Sequence, residues 1–428
     1  MVSSKEENFD ISPILDFIGP TGKWQYFHSL CMFLIAASAG LNVVSFAFPG
    51  FVPNYRCPIP ICETSDLSEY HSNQSAVNKI IHSRSCHVVS PVESIGTCDE
   101  YLTMVENLTI KTQTETCQKE DLIFDRSVVT SSLVEDFGMT CHDAYQRDLI
   151  NSIFMIGTII GGFTMGIISD NIGRIKAVAI GLLLMSVPGI ISTLWINQVV
   201  YGFYRVFAGM GFTGAYATAM VISSETAPPK QKIIFMFIPG VAFHVGEVIN
   251  ATESYFFRDW KILQRVMYIP ILILVLLYFM LPEPARWLMS KGEITEAKNV
   301  LQKRANMNGK GSIPEEMFVP HSTSANQVSH PSLSFKESLK TIVKTPRLLV
   351  RSINVMYLWF CAFAGYHGTI YMSTRLSGNP HLNFALSMIP GIPGTFLFLY
   401  LPDRLGRRNT LILSETIVGK SKQHHCVS

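Results

Sequence analysis

Only one acidic residue, Glu247, stands well inside an apolar run of this 428-residue chain, and His244 precedes it by three positions. On a helix that spacing puts both side chains on one face. A carboxylate there can supply counter-charge for a cation or take up a proton, or it can lie near an aqueous mouth and simply be solvated. His244 reads either as a core histidine with a hydrogen-bond partner or as a proton relay. Polar and charged groups inside apolar runs are costly in hydrocarbon and usually face a bundle interior. Arg205 qualifies on the same ground. Trp359 and Tyr366, seven residues apart, fall on one helix face after two turns. For each aromatic, ordinary helix packing is the alternative.

No enzymatic constellation accompanies these residues. The sequence has no Gly-x-Ser-x-Gly, no His-Glu-x-x-His and no phosphate-binding Gly-x-x-x-x-Gly-Lys-Ser/Thr. His367 beside Gly368 has no evident catalytic partners. The expectation is a non-enzyme without cofactor or metal.

The elements that must position these side chains are membrane spans. Only 15% of residues are charged and 48% are hydrophobic, and the net charge of +2 is too small to suggest nucleic acid as a partner. The first apolar run is too long for a signal core. Eight runs are long enough to cross about 30 Å of hydrocarbon, at approximately 25–48, 149–169, 177–196, 198–222, 233–255, 263–281, 349–369 and 383–401. Each must be helical, because lipid offers backbone groups no other partner.

A charged phrase occurs twice, as Asp170-Asn-Ile-Gly173-Arg174 and Asp403-Arg-Leu-Gly406-Arg407, each directly after an apolar run. Each marks a tight loop at a membrane surface, and such a repeat is how many secondary transporters are built. Lys and Arg then set orientation. Arg174, Lys176, Lys230, Lys232 and the basic residues of 286–347 fall on one side, which is expected to be cytoplasmic together with both termini; Arg258, Lys261 and Arg265 run against the rule.

The loop 49–148 is then extracellular. It holds Cys57, Cys62, Cys86, Cys98, Cys117 and Cys141, expected as three disulfides with fifteen connectivities open. Zinc is the alternative, although no Cys-x-x-Cys with a His partner occurs. Asn73 and Asn107 head glycosylation sequons in the same loop. The expected organisation is a cytoplasmic N-terminus 1–24, a six-helix bundle 25–281 including that loop, a cytoplasmic central stretch 282–348, a partial second bundle 349–409 and a tail 410–428. Within the central stretch, 290–305 reads as an amphipathic helix with Ile294, Ala297 and Leu301 on one face, and 319–332 as flexible.

Gly166-Ile-Ile-Ser-Asp170-Asn-Ile-Gly173-Arg174 resembles the loop signature of the major facilitator superfamily. Three further phrases, Pro282-Glu283-Pro-Ala-Arg286-Trp287-Leu288, Tyr357-Leu358-Trp359-Phe360 with Tyr366 and Gly368, and Ile392-Pro393-Gly394, together with the six-cysteine loop, resemble the solute carrier 22 type of organic cation, anion and zwitterion transporters. Pro284-Ala285 departs from the family's usual Ser-Pro.

The resemblance implies an all-α major facilitator-type bundle with a complete first half, about two helices of the second half and a truncated C-terminus, since relatives have twelve spans. It implies gating roles for Asp170, Gly173, Arg174, Asp403, Gly406 and Arg407, and structural roles for Glu283, Arg286 and Arg205, with Arg205 paired to Glu225. Asp170 would lack its partner in the opposite half. Trp359, Tyr366 and Tyr216 would line a central cavity that holds organic ions, cations by their ring faces. Thr213 stands where cation-transporting relatives often carry Lys, and Gly391 where they often carry Glu. The function implied is transport of small organic ions across the plasma membrane by alternating access, facilitative or exchange-driven, with Glu247 favouring cations. The other expectation is a non-transporting membrane protein that self-associates, modulates a full-length relative or is degraded.

Overall fold

The computed structural model describes residues 11–58, 86–91, 97, 112–118, 121–195, 197–318, 335–374, 376–414 and 416. Helix α1 (Ser12–Ile18) precedes α2 (Lys23–Val43). Two small antiparallel ladders follow, β1 (Tyr55–Arg56) with β4 (Ile123–Phe124) and β2 (His87–Pro91) with β3 (Thr112–Thr116), and then a short α3 (Leu133–Asp136). Five long apolar helices come next: α4 (Tyr145–Ile172), α5 (Arg174–Leu194), α6 (Gln198–Thr226), α7 (Lys232–Phe256) and α8 (Trp260–Leu274), the last extended by a 3-10 turn Val275–Phe279. A polar layer holds α9 (Ala285–Ser290), α10 (Ile294–Met307) and α11 (Phe335–Lys344). Then come α12 (Pro346–Ser373), α13 (Pro380–Met388) and α14 (Gly391–Leu405), and residues 407–414 are helical beyond Gly406.

Seven of these helices are long and apolar enough to cross a membrane, and α13 with α14 makes an eighth if a bent pair counts as one span. The eighth run, expected as continuous over 383–401, is interrupted. Pro390 and Pro393 remove two backbone donors at the junction of α13 and α14, and a 46° bend follows between Pro380–Leu397 and Leu399–Leu405. Pro402 withdraws the N–H that would bond the carbonyl of residue 398.

Helix α6 lies between α4 and α5, while α2 lies along α7. The α2–α7 approach is close because both helices present glycine: a Cβ on Gly40 would stand 1.9 Å from the Phe243 carbonyl oxygen, and one on Gly246 would stand 2.0 Å from that of Ala37. With little hydrophobic drive between helices in lipid, such backbone approach is a main source of association. It also fixes the rotation of α7, and with it the direction of Glu247. Side-chain caps start several helices: Asn197 accepts from Val199 and Val200 N–H, Asp259 from Lys261 and Ile262, and Asn379 from His381 and Leu382.

Helices α13 and α14 both lean on α7, and α12 reaches the first bundle mainly through Gly365, Tyr366, Ile370 and Ser373. The rest of α12 is largely exposed.

At the end expected outside, Cys57 pairs with Cys117 and Cys86 with Cys141, at Cα separations of 6.0 and 5.7 Å, both ordinary for a disulfide. Cys62, Cys98, Asn73 and Asn107 lie outside the described residues, as does the stretch 319–332. At the opposite end α1, α9 and α10 share an apolar core of Ile14, Leu15, Ile18, Trp287, Leu288, Ala297 and Leu301.

Candidate functional site

The first charged phrase makes a wired corner. The chain turns between α4 and α5 at Gly173, whose φ of +133° lies where side chains are strained. The Glu283 carboxylate fills the space where a Cβ would stand, 2.4 Å from one of its oxygens. It accepts N–H bonds from Arg174 (2.8 Å) and Ile175 (3.1 Å), so a carboxylate meets the positive end of α5. Burial raises the Glu283 carboxyl above its ordinary pKa, and the N–H donors oppose that rise. The Arg174 guanidinium spans Asp170 Oδ1 (2.5 Å), Ser169 Oγ (3.0 Å) and Glu225 Oε1 (3.1 Å). Trp287 Nε1 donates to the Asp170 carbonyl at 3.1 Å.

Beside this corner, α10 is clamped to the start of α2. Asn308 Oδ1 accepts from Trp24 N–H (3.1 Å), and its Nδ2 donates to the Ile18 carbonyl (3.2 Å) and to Gln25 Oε1 (2.7 Å). The buried Arg304 guanidinium stacks 4.1 Å over the Trp24 ring. Burial pushes Arg304 down to about 9, which leaves it charged at neutral pH.

Arg205 does not pair with Glu225. Twenty residues of α6 separate them, roughly 30 Å at about 1.5 Å per residue, and Glu225 goes to Arg174 instead. Arg205 is buried between the Phe46 and Phe154 rings and donates to Ser45 Oγ (3.1 Å) and Asn151 Oδ1 (3.2 Å). It joins a buried polar lattice in which Tyr268 donates to Asn42 Oδ1 (2.9 Å), Tyr204 bonds Tyr268, and Gln264 donates to Tyr201 (2.8 Å).

Glu247 is 0% exposed and lies where α7 meets the second set of helices. Its Oε2 is 2.9 Å from His244 Nδ1, and its Oε1 accepts from the Tyr366 hydroxyl of α12. Gly391, at the start of α14, lies against the His244 ring, which a Cβ would meet at 2.4 Å. Tyr216 is partly buried beside this group, 5.0 Å from the Phe243 ring and 6.1 Å from the Phe212 ring. Four expected site residues, Glu247, His244, Tyr366 and Tyr216, therefore come together. Trp359 does not join them: it is 60% exposed and touches Phe363 two turns away from Tyr366's junction with α7. Thr213 bonds carbonyls of its own helix. Asp403 and Arg407 are exposed, and Gly406 takes φ +80° in open space. Arg286 lies in the first turn of α9 at the wired corner.

The sequence reading missed a second polar link between the two sets of helices, Ser254 of α7 with His381 Nδ1 of α13 at 2.8 Å, where His381 also stacks 4.7 Å from Phe48. His381 stands just before the eighth run, so hydropathy gave it no weight; its place behind the capping residue Asn379 was the available signal. Glu253, two residues from the end of the fifth run, was likewise passed over, and its Oε2 is buried without a hydrogen-bond partner among the described residues.

The family described as "Sugar (and other) transporter" matches residues 95–419. Solute carrier family 22 member 21 of Mus musculus is 26% identical over 407 residues, covering 91% of this chain and 70% of its own length. Organic cation/carnitine transporter 2 of Mus musculus is 25% identical, covering 93% of this chain and 72% of its own. Organic cation transporter protein of Drosophila melanogaster is 25% identical, over 95% and 73% respectively. Among solved structures, a double tryptophan mutant of XylE shares 16% identity at a TM-score of 0.53, covering 90% of this chain and 70% of that one. A partially occluded inward-open form of the E. coli xylose transporter XylE gives 17% and 0.50, over 89% and 74%. At that identity the likeness establishes the fold alone.

Proposed function

The chain belongs to the sugar (and other) transporter family, a family of membrane transporters rather than enzymes, and from that premise we propose that it moves small organic cations across the plasma membrane by alternating access. The observation that carries this reading is the fully buried Glu247 carboxylate at the seam between the two sets of helices, with no lysine or arginine paired to it among the described residues. A buried carboxylate held by a histidine and a tyrosine hydroxyl, with no fixed cation beside it, is costly unless a cation joins it. A substrate ammonium at Glu247, with the Tyr366 and Tyr216 rings as apolar walls, supplies that cation. Because Glu247 and His244 belong to α7 while Tyr366 and Gly391 belong to the second set, rocking of one set against the other opens and closes the site. The wired corner at Arg174 then marks the cytoplasmic end, with both termini on that side. The relatives named for organic cations agree with this choice.

The test is uptake of radiolabelled tetraethylammonium and of p-aminohippurate into cells expressing this chain, with surface biotinylation as the control. Saturable cation uptake without anion uptake supports the reading, and the reverse preference overturns the charge assignment. A second reading rests on the exposed apolar side chains of α12, including Met356, Trp359 and Phe360. In it the chain modulates a full-length relative through that face, and surface expression without uptake of either ion is its signature.

A further inference from the structure

We propose that α11 lies flat on the membrane surface and binds the anionic headgroups of phospholipids there, with Lys340, Lys344 and Arg347 as the receiving side chains. This surface is separate from the seam at Glu247 and is independent of which ion the chain carries.

The sequence of α11 divides the helix lengthwise. Over Phe335–Lys344, the positions of Phe335, Leu339, Ile342 and Val343 fall within one apolar arc. Lys336, Lys340 and Lys344, each four residues from the next, run along the edge of that arc. Arg347 and Arg351 carry the charge on into α12, and across 335–351 the only acid is Glu337. A helix that is apolar on one side and basic beside it is suited to lie in a membrane interface.

The fold puts this helix at the bilayer. Only Thr345 stands between Lys344, the end of α11, and Pro346, the start of the membrane-crossing α12. Arg347 and Arg351, in the first two turns of α12, are confined to headgroup level because hydrocarbon excludes them. The sequence between α10 and α11 is polar, so α11 lies on the same side of the membrane as the wired corner.

Protein leaves the surface open. Among the described elements, α11 packs appreciably only on α12. Val343 is 59% exposed, and Lys340, Lys344 and Arg347 are exposed with it. None of the three cations is ion-paired among the described residues. A soluble polyanion would meet the charges and leave the apolar arc in water. A zwitterionic lipid surface would bury the arc and leave the charges without excess phosphate. An anionic lipid surface satisfies both, and each Lys or Arg near it strengthens attachment on the order of fivefold. Held there, α11 anchors the start of α12, the first helix of the second set, in the plane of the membrane.

The experiment is hydrogen–deuterium exchange on the full chain in two kinds of nanodisc, one of phosphatidylcholine alone and one containing about one-third phosphatidylserine. Exchange across 335–345 is expected to be about tenfold slower or more with phosphatidylserine, and most of that slowing should vanish at about 1 M NaCl. Exchange across α10 should be the same in both discs. The triple variant Lys340→Gln, Lys344→Gln, Arg347→Gln should lose the phosphatidylserine effect while matching wild type across α10, which shows that it is folded. Equal exchange of 335–345 in the two discs overturns the proposal: fast in both leaves α11 in water, and slow in both means that the chain or a second copy covers it. Slowing that the triple variant keeps overturns the assignment to these side chains.

Discussion

The two copies of the charged phrase share a sequence pattern and differ in everything around it. At the first, Arg174 holds Asp170, Ser169 and Glu225, Glu283 caps α5, and Trp287 closes the carbonyl of Asp170. At the second, Asp403 and Arg407 are exposed and no hydrogen bond to either side chain is present among the described residues. The difference lies not in the phrase but in what the chain brings to it. The first corner is met by the end of α6 and by α9, while among the described residues nothing comparable packs on the second. A loop motif thus fixes a turn by itself, and becomes a structural junction only when another element supplies acceptors for its arginine and its helix end.

Substitutions at matched positions break or sharpen this contrast. The largest effect is expected at glycine. Gly173→Ala incurs the penalty of a positive-φ, extended-ψ backbone that only glycine adopts readily, about 1–3 kcal/mol, and adds an overlap with Glu283. Gly406→Ala incurs the backbone term alone. Thermal unfolding in detergent should therefore show a clearly larger drop for the first, and equal drops would remove the claim that Glu283 occupies that corner. Arg174→Ala leaves Glu225 and Asp170 without their cation, for about 2 kcal/mol after allowing for partial solvent access. Arg407→Ala should stay within about 0.5 kcal/mol.

Asn308→Ala removes three hydrogen bonds that have no counterpart at the second copy, and should cost about 1–3 kcal/mol. Its direct readout is faster proteolysis between α10 and α12 with little change at the far end of the bundle. The smallest effect is a pH dependence at Glu283. Burial raises its carboxyl pKa in the fold, so the native state binds that proton more tightly than the unfolded chain. Wild type should gain on Glu283→Gln as pH falls through the raised value, with the gain complete below the ordinary carboxylate pKa. A wild type that loses melting temperature relative to Glu283→Gln on acidification contradicts this sign.

The spans were legible because lipid leaves the backbone only the helix, and a run of about 20 apolar residues announces it. The bundle class followed from the repeat. Hydropathy was blind to the break in the last span, since Pro390, Pro393 and Pro402 do not lower the average of so apolar a run enough to end it and act through missing donors. The link between Glu247 and His244 could be read from a spacing of three, because both lie on one helix. The link from Glu247 to Tyr366 could not, because it depends on how α12 leans on α7. Arg205 shows the reverse error: a family likeness suggested Glu225, while helix rise alone puts the two far apart. Trp359 stands apart from the Glu247 group for a related reason, since two turns of helix share a face but not a neighbour.

One measurement bears most directly on the claim that the α7–α12 seam is a cation site: equilibrium binding of labelled tetraethylammonium to the purified full chain, wild type beside Glu247→Gln, with Asp403→Asn as the acidic control from the bare loop. The account predicts at least a tenfold loss of affinity for Glu247→Gln, about 1.4 kcal/mol or more, and none for Asp403→Asn. Equal affinity of wild type and Glu247→Gln for the cation, with both folded, would contradict it.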